Sequence, residues 1–524
     1  MRFRELMKDC DFVESPLAGD LPEDLNVSGV AYDSRTVGER YLFVAIKGER
    51  FDGHSFIRNA IIQGACAVVH EEDVDRGSMA ADLDASERLS GFRPLFFRAV
   101  NTRKALACIA NNFYERPSEH LALTGITGTN GKTTTSYILK SILEQWGHSV
   151  GLIGTIQYMI KDEVYPAVHT TPEAPEFQSL LREMFESGCT DVISEVSSHA
   201  LEQHRVDGSV FHSAVFTNLT RDHLDFHRTI DRYFLAKKRL FAELVARGGT
   251  AVINKDDDFG RALYDELLPL SQPPRSLCVL SYGLHPEADI TACDINNSFS
   301  GLRFRACYRG RTLNIESPLV GLINVYNILA AVGAALSLSV PEEAIVEGVR
   351  LLKPVPGRFE KIDLGQSFLC IIDYAHTEDA LGRLIGTSRD LLGKSQTAGR
   401  IIIVFGCGGD RDKGKRPSMG ALATKYSDFV LITSDNPRSE DPVEIIREIE
   451  AGTERENYLA VPDRRDAIRK AIGMAGAGDI VLIAGKGHED YQEIKGTRYP
   501  FSDREVAREA IGERMRGASA DLCK

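Results

Sequence analysis

The run Gly128-Thr129-Asn130-Gly131-Lys132-Thr133-Thr134 has the residue types of a phosphate-binding loop. Glycines let the backbone curl so that successive N–H groups face inward, and the N-terminus of a following helix adds positive potential. Lys132 can then reach β- and γ-phosphates, and the Thr133 hydroxyl can ligate Mg²⁺. The spacing departs from Gly-x-x-x-x-Gly-Lys-Thr, which wants glycine at 126, where Ile126 sits; the chain offers Gly125 and Gly128 instead. Further along, Glu195 and His223 could bring a carboxylate and an imidazole to the Mg²⁺ edge of this loop, as metal ligands or proton carriers. Other polar clusters follow apolar runs: His169-Thr170-Thr171-Pro172, Glu195-Val-Ser-Ser-His199, Asn218 to Asp225, Asp373-Tyr-Ala-His376, Gly406 to Lys413, Ser434-Asp435-Asn436-Pro437-Arg438 and Gly485-Lys-Gly-His-Glu489.

These clusters need strands to aim them. Leu121 and Leu123 open a strand into the phosphate loop, and Ile138, Leu139, Ile142, Leu143 and Trp146 recur at helical spacing until Gly147 stops the helix. Strands are also expected at Ser149–Ile153, Asp191–Glu195, Ser213–Thr217 and Thr250–Asn254, and again at Phe368–Asp373, Arg400–Phe405, Phe429–Thr433 and Ile480–Ala484. Short apolar strands of this kind suit a parallel sheet covered on both faces, and such sheets bind ligands beyond the strands' carboxyl ends. A hairpin is expected from about Asp289 to Ile315 around Arg309-Gly310, and the basic residues of Tyr233–Phe241 suggest a solvated face. Before the phosphate loop, residues 1 to about 112 alternate strand (Tyr41–Ile46, Ala65–Val69, Leu95–Val100) and helix (His54–Gln63, Thr102–Tyr114), with loops at Ala31–Arg35 and Gly48–Gly53. Pro354 and Pro356, with Gly357, mark a linker. The expected domains are 1–112, 113–351 and 352–524.

At 524 residues the chain exceeds one core, since domains run to about 100–200 residues. A net charge of −13 argues against a surface that tracks nucleic acid. The 10 cysteines show neither Cys-x-x-Cys nor regular spacing, so no zinc site or disulfide framework is expected and a reducing cytoplasm fits. No signal-peptide core stands at the N-terminus, and the longest mostly apolar run, Ile328–Val340, is too short to span a bilayer.

Taken in order, Gly128 to Thr133, His169 to Pro172, Glu195 to His199, Asn218 to Asp225, Ala236-Lys237, Asn324-Val-Tyr-Asn327, Gly357-Arg-Phe-Glu360, Asp373 to His376 and Asp435 to Arg438 resemble the Mur ligases, ATP-dependent amide-forming enzymes of bacterial cell-wall precursor synthesis. The resemblance covers nearly the whole chain. It implies an α/β fold of three domains: a small N-terminal UDP-binding domain, a central P-loop ATPase-like parallel-sheet domain and a C-terminal Rossmann-like domain. It implies ATP and Mg²⁺ as cofactors, with Gly128 to Thr134, Asn327, Arg358 and His376 around the nucleotide. Lys132, Thr133, Glu195, His223 and Lys237 would carry catalysis and metal, Lys237 as a carbamate. Ser34, Thr170, Thr171, Ser197, Gln203 and Arg205 would hold a UDP-muramoyl dipeptide; Arg411, Asp435, Asn436, Pro437, Arg438, Gly485 and Glu489 would hold the incoming amino acid. Asp-Asn-Pro-Arg is the form that the resemblance associates with meso-diaminopimelate rather than L-lysine. A cytoplasmic monomer, with no membrane or nucleic-acid partner, completes the expectation. Two other readings stand beside it: a folylpolyglutamate synthase-like ligase, which the N-terminal α/β domain disfavours, and an ATP-switched binding protein without ligation.

Overall fold

The computed structural model describes residues 1–14, 25–48, 51–75, 94–273, 275–393 and 399–522. Glu49 and Arg50 of the expected Gly48–Gly53 loop, and Cys523, lie outside them. Three α/β units follow one another along the chain, each built on its own sheet. The first is four parallel strands in sequence order, Gly29–Ala31, Tyr41–Val44, Ala65–His70 and Leu95–Arg98. Helix Thr102–Phe113 packs into its core, started by Asn101, whose side chain accepts from the N–H groups of Arg103 and Lys104. Arg116, left-handed at φ 51 immediately before Pro117, ends the unit.

The central sheet has 11 strands. Its middle is parallel, in the order Cys278–Gly283, Val245–Asn254, Phe211–Phe216, Ala122–Thr127, Asp191–Glu195, Val150–Ile153. Helix Lys132–Gln145 and the apolar helix Leu322–Ser337 cover one face in a single core with Ile126, Ile193, Val215 and Val252. Phe177, Leu181, Phe216 and Phe241 fill the other. Gly147, at φ 84, closes helix Lys132–Gln145 as expected: its N–H donates to the Glu144 carbonyl, and that of His148 to Leu143.

Both flanks depart from a purely parallel reading. A hairpin, Gln157–Ile160 with Glu163–Pro166, intervenes between the second strand and His169. The hairpin expected at 289–315 is a three-stranded meander, Ile290–Ser298, Gly301–Tyr308 and Arg311–Ser317. Arg309 and Gly310, both at positive φ, make the expected turn, whereas the earlier turn, at Phe299-Ser300, has its glycine one residue on, Gly301 at φ 134, where it opens the next strand.

The third sheet runs Glu360–Ile362, Leu369–Asp373, Ile480–Ala484, Ile401–Phe405, Phe429–Ile432, Tyr458–Ala460, parallel after its first pair. A separate hairpin, Tyr491–Ile494 with Thr497–Pro500, was not expected.

Two further expectations are corrected. Cys10 and Cys108 form a disulfide with Cα atoms 5.7 Å apart. Spacing along the chain could not report it, because helix Phe3–Leu6 and helix Thr102–Phe113 meet only through the N-terminal core. The basic stretch around Tyr233 is not wholly solvated: Lys238 pairs with Glu266 and Arg239 with Asp207 and Glu243, but Lys237 is 1% exposed. No helix among the described residues is long and apolar enough to cross a membrane.

Candidate active site

The phosphate loop lies between strand Ala122–Thr127 and helix Lys132–Gln145. Its shape is held from the neighbouring strand end: Thr217 Oγ1 donates to the Asn130 carbonyl (2.6 Å), and the Asn130 N–H donates to Asn218 Oδ1 (3.0 Å). Gly128 stands at φ 146, and a Cβ there would lie 1.9 Å from Thr217 Oγ1; one at Gly131, φ 88, would lie 2.4 Å from Asn327 Oδ1. Only glycine fits both. Gly128→Ala is therefore expected to cost about 1–3 kcal/mol of stability, read as a lower thermal midpoint. An unchanged midpoint would mean that the loop is not held as described.

Three basic side chains gather here. Lys132 Nζ folds back to donate to the carbonyls of Gly128 (2.9 Å) and Thr129 (3.0 Å). Lys237 Nζ donates to Gly128 O (2.9 Å) and stands 4.5 Å from the Tyr233 ring centroid. Arg358 reaches in from the linker, its Nη2 3.4 Å from Thr133 Oγ1 and its guanidinium over the Tyr374 ring. Burial pushes Lys132 down, and burial together with the Lys132 charge pushes Lys237 far below the usual lysine range.

Glu195, fully buried at its strand end, accepts from Thr133 Oγ1 (2.9 Å), Thr155 Oγ1 (2.8 Å) and the Thr155 N–H (3.0 Å). A hydroxyl and a carboxylate side by side at the start of the helix are hard oxygen donors of the kind Mg²⁺ takes. His223 is not drawn into that pair; it packs edge-on against His199 (4.8 Å) and Tyr233 (6.1 Å) and lies 3.4 Å from Asp222. As an ammonium, Lys237 is no metal ligand; as a carbamate it would be one. The one group of three acidic or histidine side chains close enough to share an ion, among the described residues, is Asp52, His54 and Glu72 in the N-terminal unit. Both His54 nitrogens are already engaged there, Nδ1 with Asp52 and Nε2 as acceptor from the Glu71 and Glu72 N–H groups.

A cavity of about 1180 Å³ opens between the carboxyl edges of the second and third sheets. Thr170, Thr171, Ser197, Arg205 and His223 line it from the central unit, and His376, Arg411, Asp435, Asn436, Arg438, Gly485 and Glu489 from the third. Thr171 Oγ1 donates to the Glu195 carbonyl (2.8 Å), and Arg205 Nη1 to Thr171 O (2.9 Å), so one wall is tied to the Glu195 strand. Gln203 supports this wall from behind, accepting from Arg205 at 2.7 Å. His376 Nδ1 stands 2.8 Å from the Tyr374 carbonyl, and burial lowers its pKa. On the far wall, Arg438 Nη1 donates to Gly409 O (2.6 Å) and Asn436 Nδ2 to Glu489 Oε2 (2.8 Å). Pro437 lies behind the wall with its carbonyl against Gly409, and Ser34, which opens the short helix Ser34–Thr36, belongs to the N-terminal unit and does not line the cavity.

Three family models match in succession: Mur ligase family, catalytic domain, over residues 26–114; Mur ligase middle domain over 126–335; and Mur ligase, glutamate ligase domain, over 357–487. A protein of Solibacter usitatus named UDP-N-acetylmuramoyl-L-alanyl-D-glutamate--2,6-diaminopimelate ligase is 46% identical over 502 residues, 95% of each chain. The chain belongs to the Mur ligase family. A similarly named protein of Aquifex aeolicus is 41% identical over 504 residues, 95% of this chain and 97% of its own. A solved structure of a ligase of that name superposes with a TM-score of 0.69 at 32% identity, covering 98% of this chain and 99% of the other. A folylpolyglutamate synthase of Mycobacterium tuberculosis shares the fold at 16% identity and a TM-score of 0.60, over 78% of this chain and 95% of its own.

Within this Mur ligase, residues that sequence reasoning passed over complete the site. Asp379 accepts from Asn130 Nδ2 (3.1 Å) and Thr220 Oγ1 (3.2 Å), tying the third unit to the phosphate loop. Thr155 holds both oxygens of Glu195. Neither left a signal, because an acid in the first turn of a helix and a threonine after a strand are ordinary residues in those places.

Proposed function

We propose that the protein is an ATP-dependent ligase that joins meso-2,6-diaminopimelate to UDP-N-acetylmuramoyl-L-alanyl-D-glutamate in peptidoglycan precursor synthesis. The observation that carries this reading is that relatives 41–46% identical over nearly the full chain bear that ligase's name. The cavity supports it: a cation, Arg438, stands with Asp435 and Glu489 on one wall, and Thr220 and Asp379 of its lining are tied to Asn130 of the phosphate loop. Residues 1–112 would bind the UDP end through Ser34, 113–351 the nucleotide and dipeptide, and 352–524 the amino acid.

In the reaction, the D-glutamate side-chain carboxylate attacks the γ-phosphate of ATP, releasing ADP and leaving an acyl phosphate. The amine then displaces phosphate to form the amide. A carboxylate is a poor electrophile, and phosphorylation supplies the leaving group. Lys132 places and neutralises the triphosphate, Arg358, Asn327 and His376 border the nucleotide, and Thr170, Thr171, Ser197, Gln203 and Arg205 align the dipeptide. Thr133 and Glu195 would hold Mg²⁺, with a carbamylated Lys237 beside them, to neutralise charge developing on the transferred phosphoryl group; His223, packed against His199 and Tyr233, would join them only on closure. Because substrates sit on facing sheet edges, closure would also shield the acyl phosphate from water. The site is assigned to the cytoplasm and to a monomer.

Phosphate release across a panel of precursors and amino acids tests the reading. It is expected only when UDP-muramoyl dipeptide, ATP and diaminopimelate are all present. Release without an amino acid would favour a nucleotide-switched binding protein, and release with folate and glutamate a folylpolyglutamate synthase-like ligase.

A further inference from the structure

We propose that Lys486 is a positioning residue of the amino-acid pocket, holding Asn436 and Glu489 in the orientation that receives the substrate's ammonium group. This rests on the reading of the cavity given above. Lys486 is fully buried and does not line the cavity; the two residues to which it donates do, and its Nζ also stands 5.5 Å from the Tyr491 ring centroid. Its Nζ donates to Asn436 Oδ1 (2.9 Å) and Glu489 Oε2 (3.3 Å), while Asn436 Nδ2 donates to the same Oε2 (2.8 Å). The Glu493 N–H also donates to Asn436 Oδ1 (3.0 Å). With two donors on Oδ1 the Asn436 amide has one orientation, and its Nδ2 is committed to Glu489. Glu489 Oε2 is thereby taken twice, and Oε1 has no hydrogen-bond partner among the described residues.

The backbone that delivers Lys486 is fixed by close approach. Gly485 stands at φ 117 with a Cβ position 2.6 Å from Asp435 Oδ2, and Gly487 at φ 54 with one 2.8 Å from Tyr374 Cβ. The lysine is not needed to hold these strand ends together. Arg464, paired with Asp503 in a fully buried bridge, already does so by donating to Ala484 O (2.9 Å) and Ser434 O (3.4 Å). What Lys486 adds is charge: burial raises the Glu489 carboxyl, Lys486 draws it back and the neighbouring Asp435 raises it again. Removing the cation leaves two carboxylates facing each other, and Glu489 then rotates or takes a proton instead of accepting an ammonium.

The test is steady-state kinetics of Lys486→Met, Glu489→Gln and the double variant, with thermal melts of each. If the unmodified enzyme shows no diaminopimelate-dependent phosphate release, the functional reading fails before Lys486 is tested. Given that release, Lys486→Met is expected to raise the KM for the amino acid by about 10- to 100-fold, leaving the KM values for ATP and precursor within about 3-fold. In the Glu489→Gln background the same substitution is expected to add less than about 3-fold, since both changes act through one group. Should the single variant melt early, the double variant is compared with Glu489→Gln alone, because there no glutamate carboxylate is left uncovered. Unchanged amino-acid KM, an equal rise in all three KM values or a full additional loss in the double variant would overturn the proposal.

Discussion

Lys237→Ala is expected to lose nearly all amino-acid-dependent phosphate release, by about 10³-fold or more, and to regain part of it when a short carboxylic acid is added. Lys237 is 1% exposed, beside the Tyr233 ring and within reach of Gly128 O, and the Lys132 charge adds to burial in pushing it toward the neutral amine. A neutral amine adds to CO₂: the N–C bond forms, a proton leaves, and an anionic two-oxygen group replaces the amine at the phosphate loop. That group could both offset Lys132 and ligate Mg²⁺. Alanine removes it, and a small carboxylate diffusing into the space left behind restores its charge. Wild-type turnover in Lys237→Ala would show the lysine to be a packing residue only.

Arg438 should decide the third amino acid. Diaminopimelate ends in a carboxylate and an ammonium, lysine in an ammonium alone. Arg438 lines the cavity with Asp435 and Glu489, its Nη1 anchored on Gly409 O and its Nε 3.9 Å from Glu493 Oε2. A guanidinium can clamp the carboxylate in a fork, whereas bound lysine would leave it facing a like charge without a partner. A pocket built for a group rejects an analogue lacking it by about 10⁴-fold. Strong preference for meso-diaminopimelate over L-lysine is expected, and Arg438→Ala should cost at least about 2 kcal/mol in transition-state binding. Comparable kcat/KM for the two amino acids in the unmodified enzyme would sink the assignment.

Much of this site is legible in the sequence for one reason. The parallel strands that carry the site are short apolar runs that give way to polar residues at their carboxyl ends, so Thr127, Glu195, Asp373 and Ala484 mark both the strand end and the start of a loop on the site's edge. The rest depends on partners far along the chain. Asp379 and Lys486 matter through Asn130 and Asn436, which sequence distance hides. The Tyr491–Ile494 and Thr497–Pro500 strands are half-buried or exposed, so neither shows the alternation that reveals a strand packed on a core. The Cys10–Cys108 bond joins residues 98 apart that only folding makes neighbours.

That small hairpin also bears on protein engineering. Arg438 sits at φ 51, its N–H donating to the Glu493 carbonyl (3.0 Å) while the Lys495 N–H donates to its own (2.6 Å), so the loop is bridged in parallel to Ile494. Gln492 Nε2 adds a bond to the Asp435 carbonyl (2.7 Å). A designer who grafts Ser434–Arg438 alone onto a scaffold of different amino-acid choice moves the guanidinium without the clamp that aims it. The transferable unit is two segments, the loop and residues 489–500, and they must travel together.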